Sequence, residues 1–354
     1  MTHARERKIA IIGTGVVGAH AFEALKQQGW TPGENLFIFD KQLVSHVLIG
    51  ILDVTDPESL ESKLSTFGSG CSVLNASGAT AVDPGENNHT AYYLVNADGP
   101  RNLTTLATKK GFDLYSMATA FALRGGYQPK ANQPFTEKDE LLHPEDPVHS
   151  VYAHSKAAGE RYVLEGGQRL IRINWAFGNV PPGGHQLFLH AMLNRLKEQL
   201  RTGENPDVSA IHDQTGNLTY APSLGRSLAN ILTAEQPLFE GSLNLVNPGH
   251  TTLAGYIKES TALLSRASWL TEDERSAWEA ANITGIEPVT TQDYNERQKR
   301  RAQMEDKPKP IFADRPSFSA LDTRKAQSLG LALPPWEEDL AKYLENDFNA
   351  HLER

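Results

Sequence analysis

The stretch IAIIGTGVVGAH, Ile9 to His20, narrows the choice of fold more than any other part of the chain. A short apolar run ends at Ile12. Gly13-x-Gly15-x-x-Gly18 follows at once, and Val17, Ala21 and Leu25 then recur at helical spacing up to Gly29. A strand, a glycine turn and a helix in that order have a specific use. The first glycine permits the tight turn, the second lets a pyrophosphate approach the backbone, and the third lets helix and strand pack closely. The helix start then offers free N–H groups and a positive dipole end to phosphates. The next apolar run, NLFIFD, ends at Asp40. That is near the spacing of roughly 20 residues at which a carboxylate meets the adenosine ribose hydroxyls. These features predict a dinucleotide site on Gly13, Gly15, Gly18 and Asp40. An acid at that strand end repels a 2′-phosphate and favours NAD(H) slightly over NADP(H), while Lys41 softens the preference. Asp53 reads either as a contact at the adenine edge or as a plain loop carboxylate.

Further apolar runs, CSVLNASG, FDLYSMATA and RLIRINWAFG, alternate with helical stretches at Thr90 to Lys110 and Val151 to Leu164. Such alternation predicts an α/β fold, a Rossmann-type doubly wound parallel sheet covered on both faces. Residues 1–180 read as this dinucleotide-binding domain. HQLFLHAMLNRLKEQL reads as an amphipathic helix, Pro222 to Leu232 as a helix that returns to the sheet, and GSLNLVN as a late strand. The chain therefore returns to the first domain at about 220–265, and 181–354 is mainly a smaller substrate-binding lobe. Residues 267–310 turn charged and polar, with ERQKRRAQMEDKPKP inside. They read as a solvated helix and linker, or as a basic surface for a partner or phosphate. A formal net charge of −9 argues against a nucleic-acid binder. A lone cysteine, Cys71, rules out an internal disulfide and suits a reducing, cytoplasmic home as a buried thiol. The opening apolar run is too short and glycine-rich for a membrane span. No spacing of His and Cys suggests a metal site.

VYAHSKAAGE places Tyr152 and Lys156 four residues apart in a helix, hence on one face. An ammonium beside a phenol is expected to lower its pKa from about 10 by roughly 1–3 units. The phenol then exchanges a proton near neutral pH, as a carbonyl under hydride attack requires. Tyr-x-x-x-Lys alone is common chance spacing. Here a nucleotide motif lies upstream, and Thr119 ends an intervening strand on the edge where the cofactor would lie.

With these parts in place the sequence resembles the extended branch of the short-chain dehydrogenase/reductase superfamily, and within it the dTDP-4-dehydrorhamnose reductase family. The resemblance covers most of the chain. It runs through TAVDPGENNHTAYYLVNADGPRNL around Asn96, VYAHSKAAGE, INWAFG, DQTGNLTYAPSLG, GSLNLVNPG and RPSFSALDTRKAQSLGLALPPWEEDLAKYL. It implies that Thr119 polarises a substrate carbonyl, Tyr152 donates the proton, and Lys156 tunes Tyr152 and binds ribose. It extends the cofactor set to Val16, Val17, Val54, Ala76, Ser77, Gly78 and Asn96. It assigns Thr119, Ala120, Phe121, Asn174, Trp175, Gln214, Thr219 and Arg315 to the substrate. Arg315 reads as a diphosphate partner or as an exposed structural arginine. A homodimer is also suggested.

The departures gather at the reacting end. The family usually carries Ser-Thr-Asp-Tyr where this chain has Ala118-Thr119-Ala120-Phe121, Arg124 replaces a usual acid, and Leu187 falls where Asn is usual. The glycine spacing is shifted, and 267–310 is longer than the usual connection. Ala120 and Phe121 cannot supply the acid pair of a 4,6-dehydratase. The set Thr119, Tyr152 and Lys156 suffices for a reductase. The leading expectation is an NAD(P)H-dependent reductase of a nucleotide-activated 4-keto-6-deoxysugar. The alternatives are a reductase or epimerase acting on another carbonyl substrate, and a non-catalytic subunit resembling the regulatory subunit of methionine adenosyltransferase.

Overall fold

Along Ile9–Ile12 every side chain is buried. Ile9 and Ile11 enter one hydrophobic core, while Ala10 and Ile12 enter another. A strand with two apolar faces belongs in the middle of a sheet covered on both sides, and the computed structural model, which describes residues 7–42, 50–128, 132–179, 187–348 and 352, places it there. The central sheet has seven strands: β1 (Ile9–Ile12), β2 (Leu36–Asp40), β3 (Gly50–Ile51), β4 (Ser72–Asn75), β5 (Asp113–Thr119), β6 (Arg169–Ile173) and β7 (Ser242–Asn244). All pair in parallel, in the order β7-β6-β5-β4-β1-β2-β3. The chain steps outward from β1 through β2 and β3, then crosses back to β4 on the other side of β1. That reversal opens a crevice beyond the ends of β1 and β4, the position where such sheets receive ligands.

Four helices bear on the site: α1 (Val16–Gln27), α2 (Val151–Glu165), α3 (Ala221–Thr233) and α4 (Thr291–Met304). β7 adds to the edge of β6, and α3 lies against α1. The two helices meet where a Cβ on Gly225 would lie 2.5 Å from the His20 carbonyl oxygen, so only glycine permits the approach. The helix expected over Thr90 to Lys110 is interrupted: His89–Tyr93 and Gly99–Lys110 are joined by a π turn at Leu94–Asp98. The amphipathic stretch forms Phe188–Thr202, and its expected first two residues, 185 and 186, lie outside the described residues. So does the expected domain boundary at 180–181.

The second lobe packs around the buried Trp278, Tyr256, Tyr343 and Phe177. Short strands brace it, notably Val208–Ile211 beside Ile286–Val289. Residues 267–310 contain regular structure: a helix at Glu272–Thr284, that strand, and α4. Thr271 and Glu274 form a capping box at the first of these helices, a signal that the polar composition masks. Among the described residues no helix is long and apolar enough to cross a membrane.

Candidate active site

A cavity of about 1370 Å³ begins at the glycine turn and runs to the second lobe. Gly13 adopts φ +107°, and a Cβ there would lie 2.7 Å from the Ala76 carbonyl. β1 and β4 therefore pass closely only because this residue is glycine. A Cβ on Gly18 would lie 1.9 Å from the Gly13 oxygen, so α1 springs directly off the turn. A Cβ on Gly15 meets nothing within 4 Å, because that position faces the cavity. The three glycines thus divide the work as their spacing implies: turn, open approach, close packing.

Gly13, Gly15, Val16 and Val17 line the cavity, and Gly18 lies behind them. Asp40, Lys41, Asp53 and Val54 line it beyond the ends of β2 and β3, and Ala76, Ser77 and Gly78 beyond β4. Asp40 is also tied to the glycine turn. Its Oδ2 accepts from the Thr14 N–H and hydroxyl, both at 2.8 Å, and its Oδ1 accepts from the Lys41 N–H at 2.7 Å. Asp53 Oδ1 accepts from the Thr55 N–H and hydroxyl, which holds its own turn. Asn96 does not reach the cavity. Its amide carbonyl accepts from the Ala79 N–H at 2.9 Å, and its NH₂ donates to the Ala79 carbonyl and to Ser155. It fixes the loop after β4 against α2, a positioning task that the motif pattern did not distinguish from contact.

Thr119 stands at the end of β5, and Tyr152 and Lys156 share one face of α2; all three are buried beside the cavity and are not among its lining residues. Ser150 caps α2, its side chain accepting from the Ala153 N–H. Thr119 is 6% exposed, and Tyr152 and Lys156 are each 8% exposed. Phe121 lines the cavity and packs edge-on against Tyr152, with centroids 6.0 Å apart. Gly78 lines it in front of Lys156, whose Nζ lies 3.7 Å from where a Gly78 Cβ would stand.

The expected depression of the phenol pKa does not occur. Burial pushes Tyr152 up to about 12; the Thr119 hydroxyl in hydrogen-bond reach opposes this, and the Glu160 carboxylate adds to it. Lys156 Nζ donates to the Met117 carbonyl at 2.9 Å instead of acting on the phenol. Burial lowers the Lys156 pKa, and Glu160 opposes that shift. Glu160 is a site residue that sequence reading missed, although it stands four residues beyond Lys156 on the same face. It is 2% exposed. Its Oε2 accepts from Arg172 Nε at 2.8 Å and its Oε1 from the Thr119 N–H at 3.3 Å.

The expected substrate residues divide. Phe121, Trp175, Gln214 and Arg315 line the cavity. Ala120 is wholly buried in the core beneath. Asn174 donates to the Ser319 carbonyl and hydroxyl, and the buried Thr219 hydroxyl donates to the Asn174 carbonyl. Those two join loops rather than face a ligand. Arg315 makes a two-point pair with Asp83 at 2.8 and 2.9 Å, which fastens the C-terminal segment to the loop after β4.

The charged insert also reaches the site. α4 and the chain after it form a wall of the cavity, through Tyr294, Gln298, Arg301, Lys307 and Phe312. The helix of the expected solvated helix and linker is present, with no buried residue, and one face of it borders the cavity. Asp213 of the DQTG stretch holds this wall by accepting from the Thr291 N–H and hydroxyl, and Gln214 donates to the same hydroxyl at 2.9 Å.

The family model of the RmlD substrate binding domain matches residues 7–348. A dTDP-4-dehydrorhamnose reductase of Escherichia coli (strain K12) is 25% identical over 340 residues, covering 95% of this chain and 96% of that protein. A Streptomyces antibioticus protein described as a probable dTDP-4,6-dihydroxy-2-methyloxan-3-one 4-ketoreductase is 28% identical over 216 residues, covering 60% of this chain and 66% of its own. The crystal structure of dTDP-4-dehydrorhamnose reductase from Bacillus anthracis str. Ames in complex with NADP shares the fold. Its TM-score is 0.68 at 20% identity, over 96% of this chain and 99% of that one.

Proposed function

Since the chain belongs to the RmlD substrate binding domain family, we propose that it is an NAD(P)H-dependent reductase of a nucleotide-linked 4-keto-6-deoxysugar. The observation that carries this reading is the cluster of Thr119, Tyr152 and Lys156 next to Phe121 and Gly78, which line the same cavity that the glycine turn opens. The residues present fit a nicotinamide dinucleotide. The Gly15 position is open, α1 begins behind it, and the Asp40 carboxylate, held by the Thr14 and Lys41 N–H groups, stands beside the cavity. When bound, the reduced nicotinamide supplies a hydride to the carbonyl carbon.

The protein's residues handle the oxygen and its proton. With a pKa of about 12, the Tyr152 phenol is protonated at neutral pH, the form a general acid needs. It donates its proton to the oxygen that gains charge as the carbonyl is reduced. The Thr119 hydroxyl stabilises the resulting phenolate by hydrogen bonding. Lys156, held by the Met117 carbonyl, keeps its side-chain nitrogen beside Gly78, where the loop after β4 borders the cavity. Phe121 and Trp175 give this end of the cavity an apolar wall that excludes water. Asp40 favours a free ribose hydroxyl, and hence NADH, over a 2′-phosphate.

A second reading keeps the chemistry and changes the carbonyl substrate. Phe121 favours it, because an apolar ring lines the cavity where the family usually offers polar side chains. Both readings are tested by mixing the protein with NADH or NADPH and a dTDP-4-dehydro-6-deoxyhexose pool. The readout is loss of reduced-cofactor absorbance. Turnover that falls roughly 10²–10⁴-fold in Tyr152→Phe is the expected result. No turnover with intact cofactor binding excludes the sugar substrate and favours the second reading. Turnover unaffected by Tyr152→Phe removes Tyr152 from the mechanism.

A further inference from the structure

α4 has no buried residue, and it is polar on every side. A helix of that kind needs support from outside its own side chains. Its first turn has it, through Asp213 and Gln214. Further along, Tyr294, Gln298, Arg301 and Glu305 share one face by helical spacing, and that face borders the cavity instead of a core. The charges there are unequal. Arg315 is matched one to one by Asp83. Arg301 and Lys307 both donate to a single carboxylate, Glu305, at 2.8 and 2.7 Å. At this end of the wall two cations thus share one carboxylate.

We infer that Arg301 and Lys307, from the insert, are the cations that bind the diphosphate of the nucleotide-linked substrate, and that Arg315 is a structural tie. This inference rests on the reductase reading and deepens it. The guanidinium fork of Arg301 suits paired phosphate oxygens, and the Lys307 ammonium adds a mobile point charge. Glu305 holds both cations toward the cavity in the free protein and gives them up to the incoming anion. The substrate then covers the open face of α4.

Titration calorimetry with dTDP, NADH and NADPH as separate probes tests this on the full chain and on Arg301→Gln, Lys307→Gln and the double variant. Both side chains are mostly exposed, at 59% and 67%, so their replacement leaves folding intact. The expected result is a rise in the dTDP Kd of roughly 10-fold for each single change, and more for the double. The salt dependence of dTDP binding should flatten, and dinucleotide affinity should stay constant. Unchanged dTDP binding in the double variant overturns the inference and leaves the reductase reading standing. A loss that falls on NADPH instead of dTDP also overturns it, and reassigns the two cations to the cofactor. Failure of the unaltered protein to bind dTDP removes the reductase reading and this inference with it.

Discussion

Replacing Arg172 by Met tests the charge arrangement beneath the candidate active site. Arg172 and Glu160 form an ion pair whose side chains are each 2% exposed. The guanidinium also donates to the Ser242 hydroxyl at 3.1 Å. Met fills similar apolar volume but removes both bonds. The Glu160 carboxylate then keeps the Thr119 N–H at 3.3 Å but no countercharge from β6. Leaving one partner of a buried pair uncompensated costs about 3–5 kcal/mol. Glu160→Gln combined with Arg172→Met removes the stranded charge and retains an acceptor for Thr119. The double variant should therefore lose less stability than Arg172→Met alone. Urea unfolding followed by tryptophan fluorescence measures both, with ΔG read from the midpoint and slope. The reasoning is refuted if Arg172→Met costs under about 1 kcal/mol, or if the two losses simply add. Additivity would mean that the groups do not interact. Glu160→Gln has a second readout. Because Glu160 helps hold the Tyr152 pKa up, its neutralisation should move the phenol's titration downward.

Gly15→Ala places a methyl group where nothing lies within 4 Å, so the protein should fold normally and bind dinucleotide more weakly. A thermal melt beside a cofactor titration checks both; lost stability with unchanged affinity would contradict the assignment. Gly13→Ala should do the reverse and destabilise the fold, since its Cβ meets the Ala76 backbone at 2.7 Å with φ at +107°. Alkaline pH should weaken the fold through Tyr115 and Tyr152, both buried and both raised to about 12. A phenol raised above its unfolded value of about 10 stabilises fully below pH 10, and that stability is lost as pH climbs to about 12, about 3 kcal/mol each. A urea midpoint that stays flat across this window would count against the burial argument. Asp213→Ala should free the start of α4 and speed proteolysis within 291–304, with the central sheet still protected; unchanged cleavage would show that the insert is held elsewhere.

Much of the fold was legible locally. Ile9–Ile12 is apolar on both faces, and a strand with that pattern has to be central. The glycine turn and the i, i+4 pair Tyr152 and Lys156 are short-range signals, because backbone geometry converts their spacing directly into position. The sequence by itself therefore determined the doubly wound sheet, the end of it that opens toward a ligand, and the face of α2 that carries the phenol. What depended on residues far apart in the chain was decided only by the tertiary structure. Arg315 meets Asp83 across 232 positions, which turns a candidate ligand group into a tie. Asp213 meets Thr291 across 78, which brings a polar insert to the cavity as a wall. The Tyr152 pKa rose because desolvation behind Phe121 outweighs an ammonium that is turned toward Met117. The physical reason is common to all three. Spacing fixes which side chains share a local face, but pairing and burial depend on which distant segments the packed chain brings against that face.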